Sequence, residues 1–351
     1  MPSITKPLVP LLDLPRNSIG LTQREYEGAM STLCAGCGHD SITAALVQAL
    51  WELDVQPHMI AKLSGIGCSS KTTAYFAGTA HGFNSVHGRM AAIATGAAAA
   101  NRDLLYIGVS GDGDSLSIGL GQLIHAMRRN VRLMYVIENN GVYGLTKGQF
   151  SASADLGAVL KHGQKNLYAP IDPVGVGLAI GATFLARSFS GDKQQLIPIL
   201  KAAAMHRGFA LVDVLSPCVT FNDHEGSTKS YRYMRQHEVQ ATEADFIPFR
   251  TEVTASIPSG GVQSVTMHDG SVLHFRAAPP DYDPTDRVSV MRYLQERHEA
   301  GEVVTGVLYV DEEAPSLHEL TNTTETPLVK LPHEALCPGS EALERLQRSW
   351  M

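Results

Sequence analysis

Two apolar runs separated by one helical stretch constrain this chain more than anything else in it. Leu104-Leu105-Tyr106-Ile107-Gly108-Val109 reads as a buried parallel strand, Leu116 to Met127 has helical apolar spacing, and Val131 to Ile137 reads as a second strand. A strand–helix–strand unit of this kind opens the carboxyl ends of both strands onto one crevice. Gly111-Asp112-Gly113-Asp114 stands at the end of the first strand, and Asn139-Asn140 at the end of the second. Asp112 and Asn140, 28 residues apart in the chain, are therefore predicted to meet in space.

The residue types at that meeting point suit a metal-bridged diphosphate. Gly111 and Gly113 lack a Cβ and let backbone N–H groups approach phosphate oxygens, and the following helix turns its N-terminus toward the negative charge. Magnesium needs hard oxygen ligands, which Asp112 supplies as carboxylate, Asn140 as amide oxygen and Val142 as backbone carbonyl. The bland alternative is two unrelated turns, common for Gly-Asp-Gly or Asn-Asn alone. Their joint spacing across one βαβ unit favours the diphosphate reading, a pairing characteristic of thiamine diphosphate enzymes.

Five ordered motifs now carry a resemblance. Cys34-Ala35-Gly36-Cys37-Gly38-His39, Gly65-Ile66-Gly67-Cys68-Ser69-Ser70-Lys71, His87-Gly88-Arg89, Gly111-Asp112-Gly113-Asp114 and Asn139-Asn140-Gly141-Val142-Tyr143-Gly144-Leu145-Thr146 lie between residues 30 and 150, and an isolated Cys218 extends the set. Together they resemble the β subunit of 2-oxoacid:ferredoxin oxidoreductases, most nearly the branch acting on 2-oxoglutarate. The last third of the chain resembles the longer bacterial members more loosely.

The cysteines bear on this independently. The chain has five, Cys34, Cys37, Cys68, Cys218 and Cys337, and shows no secretory leader, so a disulfide framework is not expected and a cytoplasmic setting is. Cys34 and Cys37 form a C-x-x-C between glycine-rich turns, Cys68 follows the apolar stretch Met59 to Leu63, and Cys218 follows the strand Phe209 to Leu215. Ends of parallel strands share one rim, so the four can gather as thiolate ligands of a [4Fe-4S] cluster. Structural zinc, a redox dithiol at Cys34 and Cys37, and ordinary core cysteines are the competing readings, although zinc ribbons usually show two C-x-x-C pairs. Cys337 matches no ligand position and reads as a buried hydrophobe.

Composition sets the outer bounds. A 351-residue chain that is 44% hydrophobic can bury an ample core. No apolar run nears the roughly 18 residues needed to span a bilayer. The net charge of −7 argues against nucleic-acid partners, and the basic pair Arg128-Arg129 is most simply a complement to a helix C-terminus.

The chain divides into an N-terminal arm (1–29), a thiamine-diphosphate- and cluster-binding α/β domain (30–220) and a C-terminal α+β extension (221–351). The arm, with Pro2, Pro7, Pro10 and Pro15, is expected to lie over a neighbour as extended chain. Ser41 is placed to cap a helix carrying Ile42, Leu46, Ala49, Leu50 and Leu53 on one face. The alanine-rich stretch Met90 to Ala100, broken by Gly96, implies close helix packing. A loop from Tyr143 to Asp155, an apolar stretch from Val174 to Ile180, a strand near Thr183 to Arg187 and a helix from Gln194 to Met205 continue the alternation of a doubly wound, mostly parallel α/β sheet. In the extension, His268-Asp269-Gly270 predicts a hairpin with a primed turn, followed by a helix from Arg287 to Ala300 and a strand from Val303 to Val310, read as a wrap around the core or a partner.

The resemblance implies roles that spacing alone does not. Lys71 would meet the extra carboxylate of 2-oxoglutarate with Leu145 beside it, and a solvated surface lysine is the plain alternative. His39, His87 and Arg89 would lie near the cofactor, where lone histidines are as readily structural. Gly67, Cys68, Gly144, Leu145 and Thr146 would join Asp112, Asp114, Asn140 and Val142 around thiamine diphosphate. No second α/β unit for the aminopyrimidine ring is evident, so a separate α subunit would supply it, in a heterodimer or a dimer of heterodimers. Coenzyme A would take the acyl group and ferredoxin the electrons. A subunit acting on pyruvate or another 2-oxoacid, a non-redox thiamine diphosphate decarboxylase subunit and a zinc-stabilised scaffold are the alternatives.

Overall fold

A computed structural model describes residues 4–7, 14–159, 163–248, 263–277 and 282–351. Eight strands form its central sheet: β1 (Ile60–Ser64), β2 (His81–Asn84), β3 (Leu105–Gly111), β4 (Leu133–Asn139), β5 (Phe184–Phe189), β6 (Phe209–Leu215), β7 (Glu238–Gln240) and β8 (Val303–Val310). Their spatial order is β2-β1-β3-β4-β6-β5-β8-β7. All neighbours run parallel except β8, which lies antiparallel to β5. β3, β4 and β6 read as unbroken apolar runs because helices cover both of their faces.

Side chains alternate between those faces. Ile107, Val109, Met134, Val136, Val212 and Val214 pack with α1 (Gly38–Glu52) and the helix Lys193–Met205. Tyr106, Leu133, Tyr135, Ile137, Phe209 and Leu211 pack the other way, against Met90–Ala100, Leu120–Arg128 and Pro173–Ile180. In the alanine-rich helix Ala91, Ala94 and Ala98 are buried, whereas Gly96 faces open space and permits no close contact.

Several local expectations are corrected. α1 begins at Gly38 with Cys37 as its extended cap, so Ser41 lies inside the helix, and the C-x-x-C is itself the helix entry. The stretch expected as one helix from Leu116 to Met127 is a wide π-type turn, Gly113–Ile118, followed by Leu120–Arg128. The hairpin forms between Gln263–Thr266 and Val272–Ala277, but only Gly270 in its turn has a positive φ, +82°, and Gly270 N–H donates to the Met267 carbonyl at 2.9 Å. Such a type I turn closed by a left-handed glycine spans three residues where a primed turn spans two.

Segments on both sides of residues 30–220 join the body. Tyr26 is fully buried, and the Asn17 amide donates to the Tyr26 hydroxyl and the Trp51 carbonyl, each at 3.0 Å, so residues 14–29 pack on their own α1. Residues 1–3 and 8–13 lie outside the described part. The segment expected as a wrap supplies β7 and β8, which complete the sheet beyond β5. Among the described residues no helix is long and apolar enough to cross a membrane.

One polar staple closes the end of the sheet remote from the cysteines. Glu312, just past β8, accepts from His206 Nδ1 and from the His268 N–H at 3.2 Å, with His268 Nδ1 3.7 Å away. His206 Nε2 meets the Thr183 hydroxyl at 2.7 Å, and that hydroxyl donates to Asn130. Burial raises the Glu312 carboxyl, but the two histidines outweigh it and hold its pKa down at about 2. A carboxyl depressed on folding contributes stability above its unfolded value of 4.5 and loses it as pH falls toward about 2. Glu312→Gln is expected to cost about 1–3 kcal/mol at neutral pH and to flatten the fall in stability between those two pH values. Thermal unfolding across that range checks it, and identical slopes for both proteins would refute it.

Candidate active site

The ends of β3 and β4 lie side by side, with Gly111 paired to Glu138. The chain then turns at Asp112, whose side chain is 1% exposed. Its Oδ2 accepts from Gly141 N–H at 3.0 Å, from the Ser153 hydroxyl at 2.6 Å and from the Ser151 hydroxyl, while Oδ1 receives only a long contact from Asn140 N–H at 3.4 Å. The Asn140 amide oxygen accepts from Val142 N–H at 3.0 Å, and Asn222 ties down the Asn140 carbonyl at 2.8 Å. One carboxylate oxygen and one amide oxygen are thus left with lone pairs to spare in a buried, oxygen-lined corner, a donor set that fits a magnesium ion. Gly113 is required by close approach: a Cβ there would sit 2.4 Å from the Tyr143 ring, whose hydroxyl donates to the Gly113 carbonyl at 2.9 Å.

Asp114 faces away from this corner. Its oxygens accept from Gly88 N–H at 2.6 Å and from the Ser110 hydroxyl at 2.9 Å, so it anchors the His87-Gly88-Arg89 loop, with His87 and Arg89 exposed.

The cysteine segments meet at the same rim. Cys37 caps α1 and its N–H donates to the Cys34 carbonyl at 3.0 Å, while Cys68 opens the turn Ser69–Lys71 and Cys218 follows β6. A Cβ on Gly144 would lie 3.5 Å from Cys68 Sγ and 3.6 Å from Cys218 Sγ, and the Thr220 hydroxyl points at Cys34 Sγ from 3.6 Å. Each of the four sulfurs is close enough to another to perturb it, linking Cys37 to Cys218, Cys68 to Cys218 and Cys34 to both Cys68 and Cys218. All four are free thiols. Burial pushes Cys37 up to about 12 and raises Cys68 and Cys218, with Lys71 opposing the rise at Cys68 and the N–H groups of Thr220, Phe221 and Asn222 opposing it at Cys218. Among the described residues no three His, Cys, Asp or Glu side chains crowd closely enough to bind a single metal ion. Four thiolates on one zinc would stand on the order of 4 Å apart, whereas a cubane cluster takes them at four separate corners. Cys337, expected to be buried, is exposed.

The remaining expected residues frame this corner. Lys71 Nζ lies 3.5 Å from the Thr32 carbonyl and is half-buried, Leu145 is 43% exposed, and Thr146 bonds Gln149 at 2.6 Å on the surface. Gly67 has a positive φ of +83° and open space around it. A cleft of about 640 Å³ opens beside the same loop, between Val142, Phe150, Asp155, Thr220 and Asn222.

Beneath the rim, sequence reasoning named His39 but missed Glu138, Asp213 and Arg187. Glu138, wholly buried on β4, accepts from the Thr72 hydroxyl at 2.9 Å, and His39 reaches it at 3.6 Å while meeting the Ser216 hydroxyl at 2.7 Å. Burial raises the Glu138 carboxyl well above its usual range and lowers His39 to about 4, so the dry interior favours the uncharged form of each. Asp213 and Arg187 form a second buried pair. The available signal was a lone charge inside an otherwise apolar strand, Glu138 after Leu133 to Ile137 and Asp213 within Phe209 to Leu215.

Comparison with known proteins agrees with this geometry. Residues 65–214 match the thiamine pyrophosphate enzyme C-terminal TPP binding domain. The chain is 43% identical over 224 residues to 2-oxoglutarate oxidoreductase subunit KorB of Mycobacterium tuberculosis, a match covering 63% of this chain and 58% of that protein, and so less than two thirds of the relative's length. It is 42% identical over 207 residues to the 2-oxoacid:ferredoxin oxidoreductase subunit beta of Saccharolobus solfataricus, covering 59% of this chain and 67% of that one. The solved structure of 2-oxoglutarate:ferredoxin oxidoreductase from Magnetococcus marinus, with 2-oxoglutarate, coenzyme A and succinyl-CoA bound, superposes with a TM-score of 0.70 at 29% identity, over 86% of this chain and 89% of that chain. A parallel sheet with a buried Asp–Asn corner, four free cysteines at its rim and these relatives lead to one assignment: the chain belongs to the β subunits of the 2-oxoacid:ferredoxin oxidoreductases.

Proposed function

We propose that this chain is half of the active site of an enzyme that oxidatively decarboxylates 2-oxoglutarate to succinyl-CoA and carbon dioxide, reversibly, and sends single electrons through a [4Fe-4S] cluster to ferredoxin. One loop carries the reading. It leaves the Asp112–Asn140 corner and within four residues brings Gly144 against Cys68 and Cys218. A diphosphate site and a thiolate group built on the same loop suit chemistry in which electrons pass from one to the other.

When bound, thiamine diphosphate supplies the electron sink for loss of carbon dioxide, and the cluster supplies a one-electron outlet. Asp112, Asn140 and the Val142 carbonyl would hold magnesium, with Gly111 and Gly113 admitting the diphosphate to the backbone. Cys34, Cys37, Cys68 and Cys218 would hold the cluster, each supplying one thiolate. The Lys71 ammonium would neutralise the second carboxylate of the substrate with Leu145 as the adjoining wall. His87 and Arg89, exposed on the neighbouring loop, are placed to meet groups entering the site, and His39 supports the cysteine segments from below. The aminopyrimidine half and most coenzyme A contacts are assigned to an α subunit. A non-redox decarboxylase subunit would need Asp112 and Asn140 but have no use for the cysteines, and that difference favours the redox reading.

The direct test is 2-oxoglutarate- and coenzyme A-dependent reduction of ferredoxin by the anaerobically purified complex, and its absence there would dismiss the reading. Cys218→Ser should lower iron content and abolish ferredoxin reduction, whereas Cys337→Ser should change neither. Full iron in the Cys218 variant removes that residue from the ligand set. Asp112→Ala should weaken thiamine diphosphate binding steeply while the fold survives, and calorimetric titration showing equal affinities would count against the metal assignment. Against pyruvate, the Lys71 ammonium would face no carboxylate, so the smaller substrate forgoes that interaction. Lys71→Ile should therefore raise KM for 2-oxoglutarate and shift relative kcat/KM toward pyruvate, and an unchanged ratio makes Lys71 a bystander.

A further inference from the structure

A row of buried polar side chains runs from the Asp112 corner into the sheet and ends on an ion pair that the chemistry does not touch. The Ser153 hydroxyl lies 2.6 Å from Asp112 Oδ2 and 2.8 Å from the Asn139 amide oxygen, sharing one proton between them. The other end of the Asn139 amide donates to Asp213 Oδ1 at 2.9 Å, and Arg187 Nε donates to Asp213 Oδ2 at 2.9 Å. Arg187 also reaches Asp172, the N-cap of the helix Pro173–Ile180. Asn139, Asp213 and Arg187 stand on the neighbouring strands β4, β6 and β5, with Arg187 directly opposite Asp213. Asp112, Asn139, Ser153 and Asp213 are each no more than 3% exposed.

We propose that Arg187 and Asp213 are positioning residues for the metal-diphosphate site: the pair fixes the Asn139 amide, which through Ser153 aims the Asp112 carboxylate. The inference rests on reading Asp112 and Asn140 as the metal ligands. A purely structural pair is the rival explanation, and it accounts for less. Burying two charges costs desolvation that a well-packed apolar pair avoids, and the flanking Leu185, Ala186, Val212 and Val214 show that these strands already pack with apolar side chains. The pair instead presents an acceptor to the donor end of an amide whose next residue in the chain is Asn140. With its donor end on Asp213 and its acceptor end on Ser153, Asn139 has a single orientation, and partners that orient a ligand in this way set much of a metal site's affinity.

The two explanations separate when stability and binding are measured on the same variants. In the full chain, within the complex it is purified with, Arg187→Met combined with Asp213→Leu removes the charges and leaves the volume filled. Thermal stability should match or exceed the wild type, yet thiamine diphosphate titrated with magnesium should bind about tenfold more weakly or worse, as loss of an outer-shell partner predicts. Arg187→Gln combined with Asp213→Asn keeps an acceptor for Asn139 and should stay within about threefold of wild type by the same rule. Wild-type affinity in the apolar pair overturns the proposal. Should that variant fail to fold, Asn139→Ala decides instead, since it must show the same loss of affinity and wild-type binding there is equally fatal. A wild-type complex that binds no thiamine diphosphate at any magnesium concentration removes the site and the inference together, an outcome distinct from binding that survives the substitutions.

Discussion

The parallel pairing of β3, β4 and β6 is the constraint on which the functional rim depends. Parallel neighbours end on the same side, so three segments distant in the chain, beginning at Asp112, Asn140 and Ser216, leave the sheet together. Backbone hydrogen bonds between the strands do this without any contact between the functional side chains themselves. Once the ends are level, short-range chemistry finishes the corner: N–H groups and serine hydroxyls of the 139–153 loop converge on one carboxylate.

Beneath that rim, polarity is managed by two different means. Burial shifts Glu138 and His39 toward their neutral forms, because in a dry interior a proton is cheaper to hold or shed than a charge is to bury. Asp213 and Arg187 remain an ion pair, stabilised by mutual contact and by Asn139. The neutral set braces the segments leading to Cys37, Cys68 and Cys218 through His39, Thr72 and Ser216, and the charged set braces the asparagines.

Much of this was legible in the sequence, and the limits are physical. β3, β4 and β6 declared themselves because strands covered on both faces are apolar throughout, and Gly111 to Asp114 and Asn139-Asn140 fall at their ends by simple counting. Helix entry at Cys37 was hidden, since cysteine is not a usual cap and Ser41 offered a better-known one. The insertion of β8 beside β5, antiparallel and more than a hundred residues later, was not readable, because long-range strand order leaves no local periodicity. Glu138, Asp213 and Arg187 went unweighed for a related reason: a single charge in an apolar strand acquires meaning only when register shows what stands across from it.

Gly144 sits between the two halves of the rim as a residue with no side chain, its α-carbon turned toward two sulfurs. The space a methyl group would occupy is the whole clearance between the loop and Cys68 and Cys218. A methyl there would make ordinary contact with both sulfurs, and a larger side chain would press on them. One short stretch of backbone therefore both places Asn140 and covers Cys68 and Cys218, so the metal corner and the shielding of the thiols are set together.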